Sequence, residues 1–529
     1  MTRLTCDVLV IGGGAAGIRA AIAAKRKGID VMLISKASAG KGTCTILSGG
    51  VFAGTEEGQT VQHHMQRTLK AGRGINQKER VNILVGEGPA RLREMVDWGI
   101  EAEYRKGYLF SKGRPPTWGK EIVNCLLRKA KELGIRFQSS LIVNDLRVQN
   151  GITRASVFSV DSNEWLTIVA KATVLATGGA GALYLRHDNP KRMLGDGYCV
   201  ALKAGAVLQD MEFVQFYPLG LAEPGYPPFL IPPRLADFGL LYNNKNEELH
   251  EKYSITERPA GERARDRLSQ AFFTEIYREQ SEVWLDLRGV SDTDWKADPF
   301  SASTRKLFGE RYGAKHRPVR IAPLGHHNMG GVYTDSFGAT SISGLFAAGE
   351  VTGGLHGANR MGGNALTETI VFGARAGQSA AVWAESISGD RSQACEKNSK
   401  SSGVESGKSK EKPSVASLLT HLRGILWQEG GILRQSQGLT RSLNEVKAVQ
   451  QDIHALPLTG DPGEIQNAME LQFAFCTASL ILQAALRREE SRGAHFREDF
   501  PDQDDANWRG HLQVHLSEEG EEVWTFQPV

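Results

Sequence analysis

Five short stretches concentrate the side chains able to do chemistry. Two set basic residues among glycines: "GHHNMGG" at 325–331 and "HGANRMGGNALTE" at 356–368. A third, "ERARDRLSQA" at 262–271, is rich in arginine, and a fourth, "MEFVQFYPLG" at 211–220, is strand-like and expected to stop at Pro218, just after Tyr217. An arginine's planar fork matches a carboxylate in two parallel hydrogen bonds, and a histidine between glycines can donate to the same anion. Bland readings stand beside these: a solvated helix arginine for Arg265, a loop histidine for His326, a core aromatic for Tyr217. The fifth stretch, "GGGAAG" at 12–17, is of a different kind. Gly12 permits a tight strand-to-helix turn and Gly14 lets backbone N–H groups approach a pyrophosphate. Gly17 allows the helix to pack closely on the sheet, while Ala15 and Ala16 open that helix with its N-terminus toward the phosphates.

These residues need elements to hold them. "CDVLVI" (6–11) reads as a buried parallel strand, "IRAAIAAKRKG" (18–28) as a helix with a glycine stop, and "DVMLIS" (30–35) as the next strand. That is a β-α-β unit carrying a dinucleotide. Where NAD enzymes place a ribose-binding acid stand Ser35 and Lys36 instead. "ATGG" (Ala176, Thr177, Gly178, then Gly179) closes a further strand, and "TSISGLFAAGE" (340–350) resembles a second FAD fingerprint in which Glu350 holds the ribityl chain. The cofactor expected is FAD. Texture then divides the chain: an FAD-binding domain at 1–218 and 323–387, a proline-dense capping domain at 219–322, a polar disordered linker at 388–413, and a C-terminal helical domain with a short tail at 414–529. The fold class expected is α/β: a Rossmann-like FAD-binding domain with an inserted α+β capping domain and a helical C-terminus.

The totals exclude other classes. Lys plus Arg number 63 against 60 Asp plus Glu, a balance that argues for neither nucleic acid nor an anionic membrane surface. Six scattered cysteines contain no CxxC pair, so no iron–sulfur or zinc site is expected from this chain and the metal expectation is none. No signal segment and no run of 18 apolar residues is apparent, which points to a cytoplasmic chain that does not itself span a membrane.

The motifs "HxNMGG" and "HGANRxGxN", with "DMEFVQFYP" and the C-terminal "EESRGAHFREDFPDQDDANW" (489–508), resemble the flavoprotein subunits of succinate dehydrogenase and fumarate reductase, a family that includes L-aspartate oxidase. The resemblance runs in order from Gly12 to Trp508. It implies hydride exchange between flavin N5 and one carbon of a C–C bond activated by a carboxylate. Arg265 would be the proton carrier, Arg360 and His326 the ligands of a small anionic carboxylate substrate, and His327 would face away. The resemblance also places Val143, Ser48, Gly49, Gly50, Asp196, Asn364, Ala365 and Leu366 around the cofactor. A separate iron–sulfur subunit is implied as partner, which could bring the chain to a membrane surface.

Four departures qualify the match. Thr43 stands where respiratory members attach flavin through histidine, so FAD is expected to be non-covalent. Tyr217 replaces the family's histidine, Pro232-Pro233 its Thr-Glu pair, and Leu235 or Ala236 its relay arginine; Arg234, Asp237 and Glu262 are the candidates to substitute. The substrate is therefore expected to be less charged or larger at its far end than fumarate, with Tyr217 touching it. The rival readings are fumarate reductase, succinate dehydrogenase or L-aspartate oxidase proper, an adenylylsulfate-reductase-like enzyme, and an FAD electron relay without substrate chemistry.

Overall fold

A computed structural model describes residues 2–54, 58–387 and 414–529; the expected linker at 388–413 lies outside the described residues. The N-terminal apolar run forms β1 (Thr2–Ile11), followed by α1 (Ala15–Lys25), β2 (Val31–Ile34) and α2 (Val61–Ala71). Farther along come β3 (Arg136–Gln138), β4 (Leu141–Gln149), β5 (Ile152–Ser159) and β6 (Glu164–Leu175). β1 lies between β2 and β6, parallel to both, with β3 beyond β2 and the antiparallel β5 and β4 beyond β6. Val8 and Val10 enter one core while Leu9 and Ile11 enter another. Both sheet faces are covered, which is why the run is apolar without alternation.

The stretch 211–220 does not end where expected. β7 (Val214–Leu221) continues through Pro218 and pairs antiparallel with β8 (Val319–Asn328). Its ladder passes from Tyr217–Leu324 to Gly220–Ala322 through an irregularity that contains Pro218, so the missing N–H breaks no regular rung. Both strands share a four-stranded sheet with Val283–Asp286 and Leu240–Asn243. Val214 and Phe216 pack in the main core, whereas Tyr217, Leu219 and Leu221 pack in a second core drawn almost wholly from residues 219–322. The expected junctions at 218/219 and 322/323 thus fall inside two paired strands, not in loops. From the second core α3 (Arg265–Tyr277) leads back toward the first.

β9 (Leu345–Ala347) adds to the C-terminal end of β6 and makes the main sheet seven-stranded. α4 (Asn364–Ser386) follows and packs along α1. In the C-terminal part, α5 (Pro462–Arg487) has the length and apolarity to cross a membrane, yet 89% of that window is buried inside the protein. The expected short tail is instead a hairpin, β10 (Gly510–Leu516) and β11 (Glu522–Pro528), and β10 pairs with Leu208–Gln209 of the FAD-binding part. Its alternating "HLQVHL" is the signal that a helical reading passes over.

Candidate active site

One elongated cavity of about 1120 Å³ runs from the glycine-rich turn after β1 to the second core. At its first end Gly12 has φ +121°, and a Cβ there would lie 2.1 Å from the Ala176 carbonyl oxygen. Gly17 sits behind the turn, where a Cβ would meet the Gly12 carbonyl at 2.0 Å; it packs the helix and does not line the cavity. Gly14 caps α1 with no side-chain bond and the first turn carries no acid; the Ala15 N–H donates to the Thr45 hydroxyl at 3.1 Å, and the positive helix end faces the cavity at Gly14, Ala15 and Ala16. This is a cradle that fits a pyrophosphate.

The cavity wall continues through Ser35, Lys36, Thr43, Ser48, Gly49, Val143, Ala176, Thr177, Gly178, Asp196, Glu350, Ala365 and Leu366. Lys36 Nζ donates to the Arg192 carbonyl at 2.7 Å and lies 3.4 Å from Asp196. Thr177 Oγ1 is buried without a partner, a polar atom that a bound dinucleotide would satisfy. Glu350 accepts from the Asn328 N–H at 3.1 Å, and burial pushes its carboxyl up to about 7. Two expected contacts fall elsewhere. Gly50 is turned against Ser111, and Asn364 holds His64 at 2.7 Å and Thr68 at 2.9 Å, tying α4 to α2. The residues present fit FAD.

At the other end stand Tyr217, Arg265, His326 and Arg360. Tyr217 donates its hydroxyl to the Ile231 carbonyl at 2.5 Å, and burial raises its phenol well above the usual range. What it offers the cavity is therefore its ring, stacked 5.3 Å from the Arg265 guanidinium and 5.4 Å from the His326 ring. Arg265 opens α3, with Nε donating to the Gly261 carbonyl at 3.0 Å. Arg360 is 7% exposed, and its Nε is buried with no hydrogen-bond partner. Burial first, and then Arg265, lowers this guanidinium to about 10. Among the described residues neither arginine has a carboxylate at ion-pair distance. Two buried cations thus converge on one space, an arrangement that waits for an anion.

His326 binds the Asp188 carboxylate through Nδ1 at 2.7 Å, and enclosure lowers its pKa. His327 does not face away. Between Phe216–Gly325 and Gln215–His327 the ladder slips by one residue, and this bulge at His326 cancels the alternation, so both histidines reach the cavity. His327 lies 3.5 Å from Glu350, and burial holds it well below its ordinary pKa. His356 is packed behind, 3.0 Å from Glu368. Of the three candidate relay substitutes, Asp237 lies off the cavity and accepts from the Ala260 N–H. Arg234 and Glu262 line the cavity and pair at 3.4 Å.

Sequence reasoning misses Asp188, Tyr108 and one face of α2. His63, Arg67 and Lys70 stand three and four residues apart, so all three reach the cavity mouth, and Arg67 donates to the Tyr108 hydroxyl at 2.7 Å. Helical spacing is the available signal for α2; for Asp188 there is none, because its role comes from an isolated bridge between His187 and Gly325.

Comparison with known proteins accords with this geometry. Residues 7–366 match the family described as FAD binding domain, and residues 420–529 match fumarate reductase flavoprotein C-term. The chain is 33% identical to a chain of the fumarate reductase (CoM/CoB) of Methanothermobacter marburgensis, over 94% of this chain and 95% of that one. It is 30% identical to L-aspartate oxidase of Streptomyces coelicolor, over 97% and 92%. Among solved structures, the FrdA chain of E. coli quinol fumarate reductase superposes with a TM-score of 0.85 at 26% identity, covering 100% of this chain and 97% of that chain. Adenylylsulfate reductase of Archaeoglobus fulgidus (TM-score 0.78, 19% identity, 100% and 96% covered) shares the fold alone.

Proposed function

Since the chain belongs to the fumarate reductase and succinate dehydrogenase flavoprotein family, and is an FAD-dependent oxidoreductase, we propose that it transfers a hydride to or from a C–C bond of a small carboxylate substrate. Bound FAD supplies the hydride exchange at the carbon it faces. The protein's own part is to bind, orient and move one proton. Arg360 and His326 hold the substrate carboxylate, and Arg265 carries the proton at the neighbouring carbon in a space from which Tyr217 and the RMGG loop (360–363) exclude water. The observation that carries this reading is the buried, unpaired Arg360 beside Arg265 at the end of a dinucleotide cradle. FAD is held without a covalent bond, as Thr43, not histidine, lines that wall; denaturation should release it into the supernatant.

The electron pair passes to or from a separate iron–sulfur subunit, for which the absence of any CxxC pair in this chain is the support. In this reading the chain is cytoplasmic and meets a membrane surface only through such a partner. The test uses FAD-loaded protein with reduced viologen as donor, or dye as acceptor, against a panel of unsaturated and saturated carboxylates. Arg265→Ala is expected to keep its flavin and lose turnover. Turnover that survives in Arg265→Ala would remove Arg265 from the chemistry and leave an electron relay as the better account.

A further inference from the structure

The Arg360–His326 anchor has no counterpart on the capping side. Tyr217 donates its hydroxyl to Ile231, and Leu230, Pro233 and Phe300 line the same cavity. Leu230, Pro233 and Phe300 offer no side-chain donor to a second carboxylate placed a few carbons from the first, and Pro233 has no N–H either. Cations appear again only farther out. Arg67 of α2 and Arg234 of the capping part approach the same carboxylate, Glu262, at 3.8 and 3.4 Å, and all three line the cavity. This group is partly open, with side-chain exposures of 29%, 34% and 26%.

The RMGG loop connects the two ends. Arg360 begins it; the Arg265 guanidinium lies against Gly362, with its Nη2 2.9 Å from where a Cβ would stand. The Tyr108 ring, which carries Arg67 on its hydroxyl, lies against Gly363 in the same way at 3.3 Å. Arg265 therefore stands between an inner anion site at Arg360 and an outer cation pair at Arg67 and Arg234, with an apolar wall along the way. Glu262 is the internal anion that occupies the outer pair.

We infer that the substrate carries a second anionic group on an apolar spacer, and that this group binds between Arg67 and Arg234 in place of the Glu262 carboxylate. The inference rests on the reading that a first carboxylate docks at Arg360. Its substrate class is a long, doubly anionic acid, with the reacting carbons next to the inner carboxylate. Because the spacer has to pass Tyr217, Leu230 and Pro233, a long diacid and not a C4 one is expected to engage both groups.

Linear diacids and monoacids separate the two claims. Binding is read from the perturbation of the flavin spectrum of the FAD-loaded protein, at low salt, for succinate, adipate and suberate and for the matching monoacids. Adipate or suberate should bind about tenfold tighter than succinate and than the monoacid of equal length. Arg67→Gln and Arg234→Gln should each remove most of that advantage and leave monoacid affinity and flavin content unchanged, while Arg67→Lys restores part of it. Arg360→Gln should weaken binding of both series about a hundredfold. Succinate binding as tightly as suberate, or a diacid advantage that persists in the Arg67→Gln, Arg234→Gln double variant, overturns the outer site. Monoacid binding left undiminished by Arg360→Gln overturns the anchor instead, and no binding by any acid overturns both.

Discussion

Two of the groups of buried arginines among the described residues differ in what they are paired with. In the C-terminal part Arg488 meets Glu212 at 2.5 Å and Glu490 at 2.9 Å, Arg492 meets Glu490 at 2.7 Å and Asp505 at 2.7 Å, and Arg497 meets Asp499 at 2.8 Å. Arg434 closes the group through the Glu212 carbonyl at 2.7 Å and His495 at 2.6 Å. At the cavity Arg265 has a single carbonyl and the Arg360 Nε has nothing. Desolvating a guanidinium costs several kcal/mol in either place. The first group recovers that cost within the chain, so its role is to join the segment leading into β7 to the C-terminal part. The second recovers it only when an anion arrives, so its role is binding. Residue type alone does not separate structure from function; the missing counter-charge does.

The sharpest way to break this contrast is to remove one arginine from each group. Arg488→Ala leaves Glu212 in the interior without a cation and takes one partner each from Asp210 and Glu490; it is expected to cost about 3–5 kcal/mol, read as a drop in denaturant midpoint or as insoluble protein. Arg360→Gln should leave stability within about 1 kcal/mol of wild type while carboxylate affinity falls about a hundredfold. Equal stability losses in the two variants would erase the distinction.

Next in size is Glu350, whose folded pKa of about 7 stands above the reference value of 4.5. The folded state then holds the proton longer than the unfolded one. The contribution of this group is fully present below about pH 4.5 and is lost as pH rises through about 7, by up to about 3 kcal/mol. Flavin-free protein should lose stability across that window, and Glu350→Gln should flatten the profile. A profile unchanged by that substitution would show that Glu350 is not strained.

His326 gives a smaller, finer test. With its Nδ1 proton on Asp188, the neutral ring turns a lone pair to the cavity, and only the protonated ring donates to a carboxylate. Since enclosure lowers its pKa, carboxylate affinity should rise as pH falls through the neutral range, by up to about tenfold per unit. Asp188→Asn should move that rise to lower pH, and a pH-independent affinity in wild type would remove His326 from the anchor. The smallest effect belongs to Tyr217→Phe. Loss of the bond to Ile231 should cost about 1 kcal/mol of stability with substrate affinity intact, because the ring and not the hydroxyl faces the cavity.

What is legible in the sequence follows from how local the cause is. The turn at Gly12–Gly17, the apolar β1 and the FAD-type end at Glu350 are set by neighbours in the chain, and they can be read. The long-range causes cannot. His327 enters the cavity because β8 bulges against β7, and Pro218 stays in a strand because the same ladder is irregular there. Asn364 looks like a flavin contact by position, but His64 and Thr68, some 300 residues earlier, claim it. Tyr217 is recognisable as belonging to the site, while the direction of its hydroxyl depends on the Ile231 carbonyl.

The hairpin β10–β11 sets a schedule for synthesis. Asp210 and Glu212 leave the ribosome early, and their partners His511 and Arg488 come 301 and 276 residues later. At about 5–20 residues per second that is a wait on the order of tens of seconds, during which the segment before β7 carries uncompensated acids and Leu208–Gln209 lacks β10. The glycine-rich turn of the FAD cradle is made first, whereas the segment leading into the strand that bears Tyr217 gains its charge partners only when residues 488–511 arrive. The approach to the active-site strand is thereby tied to the synthesis of a segment 276 to 301 residues downstream.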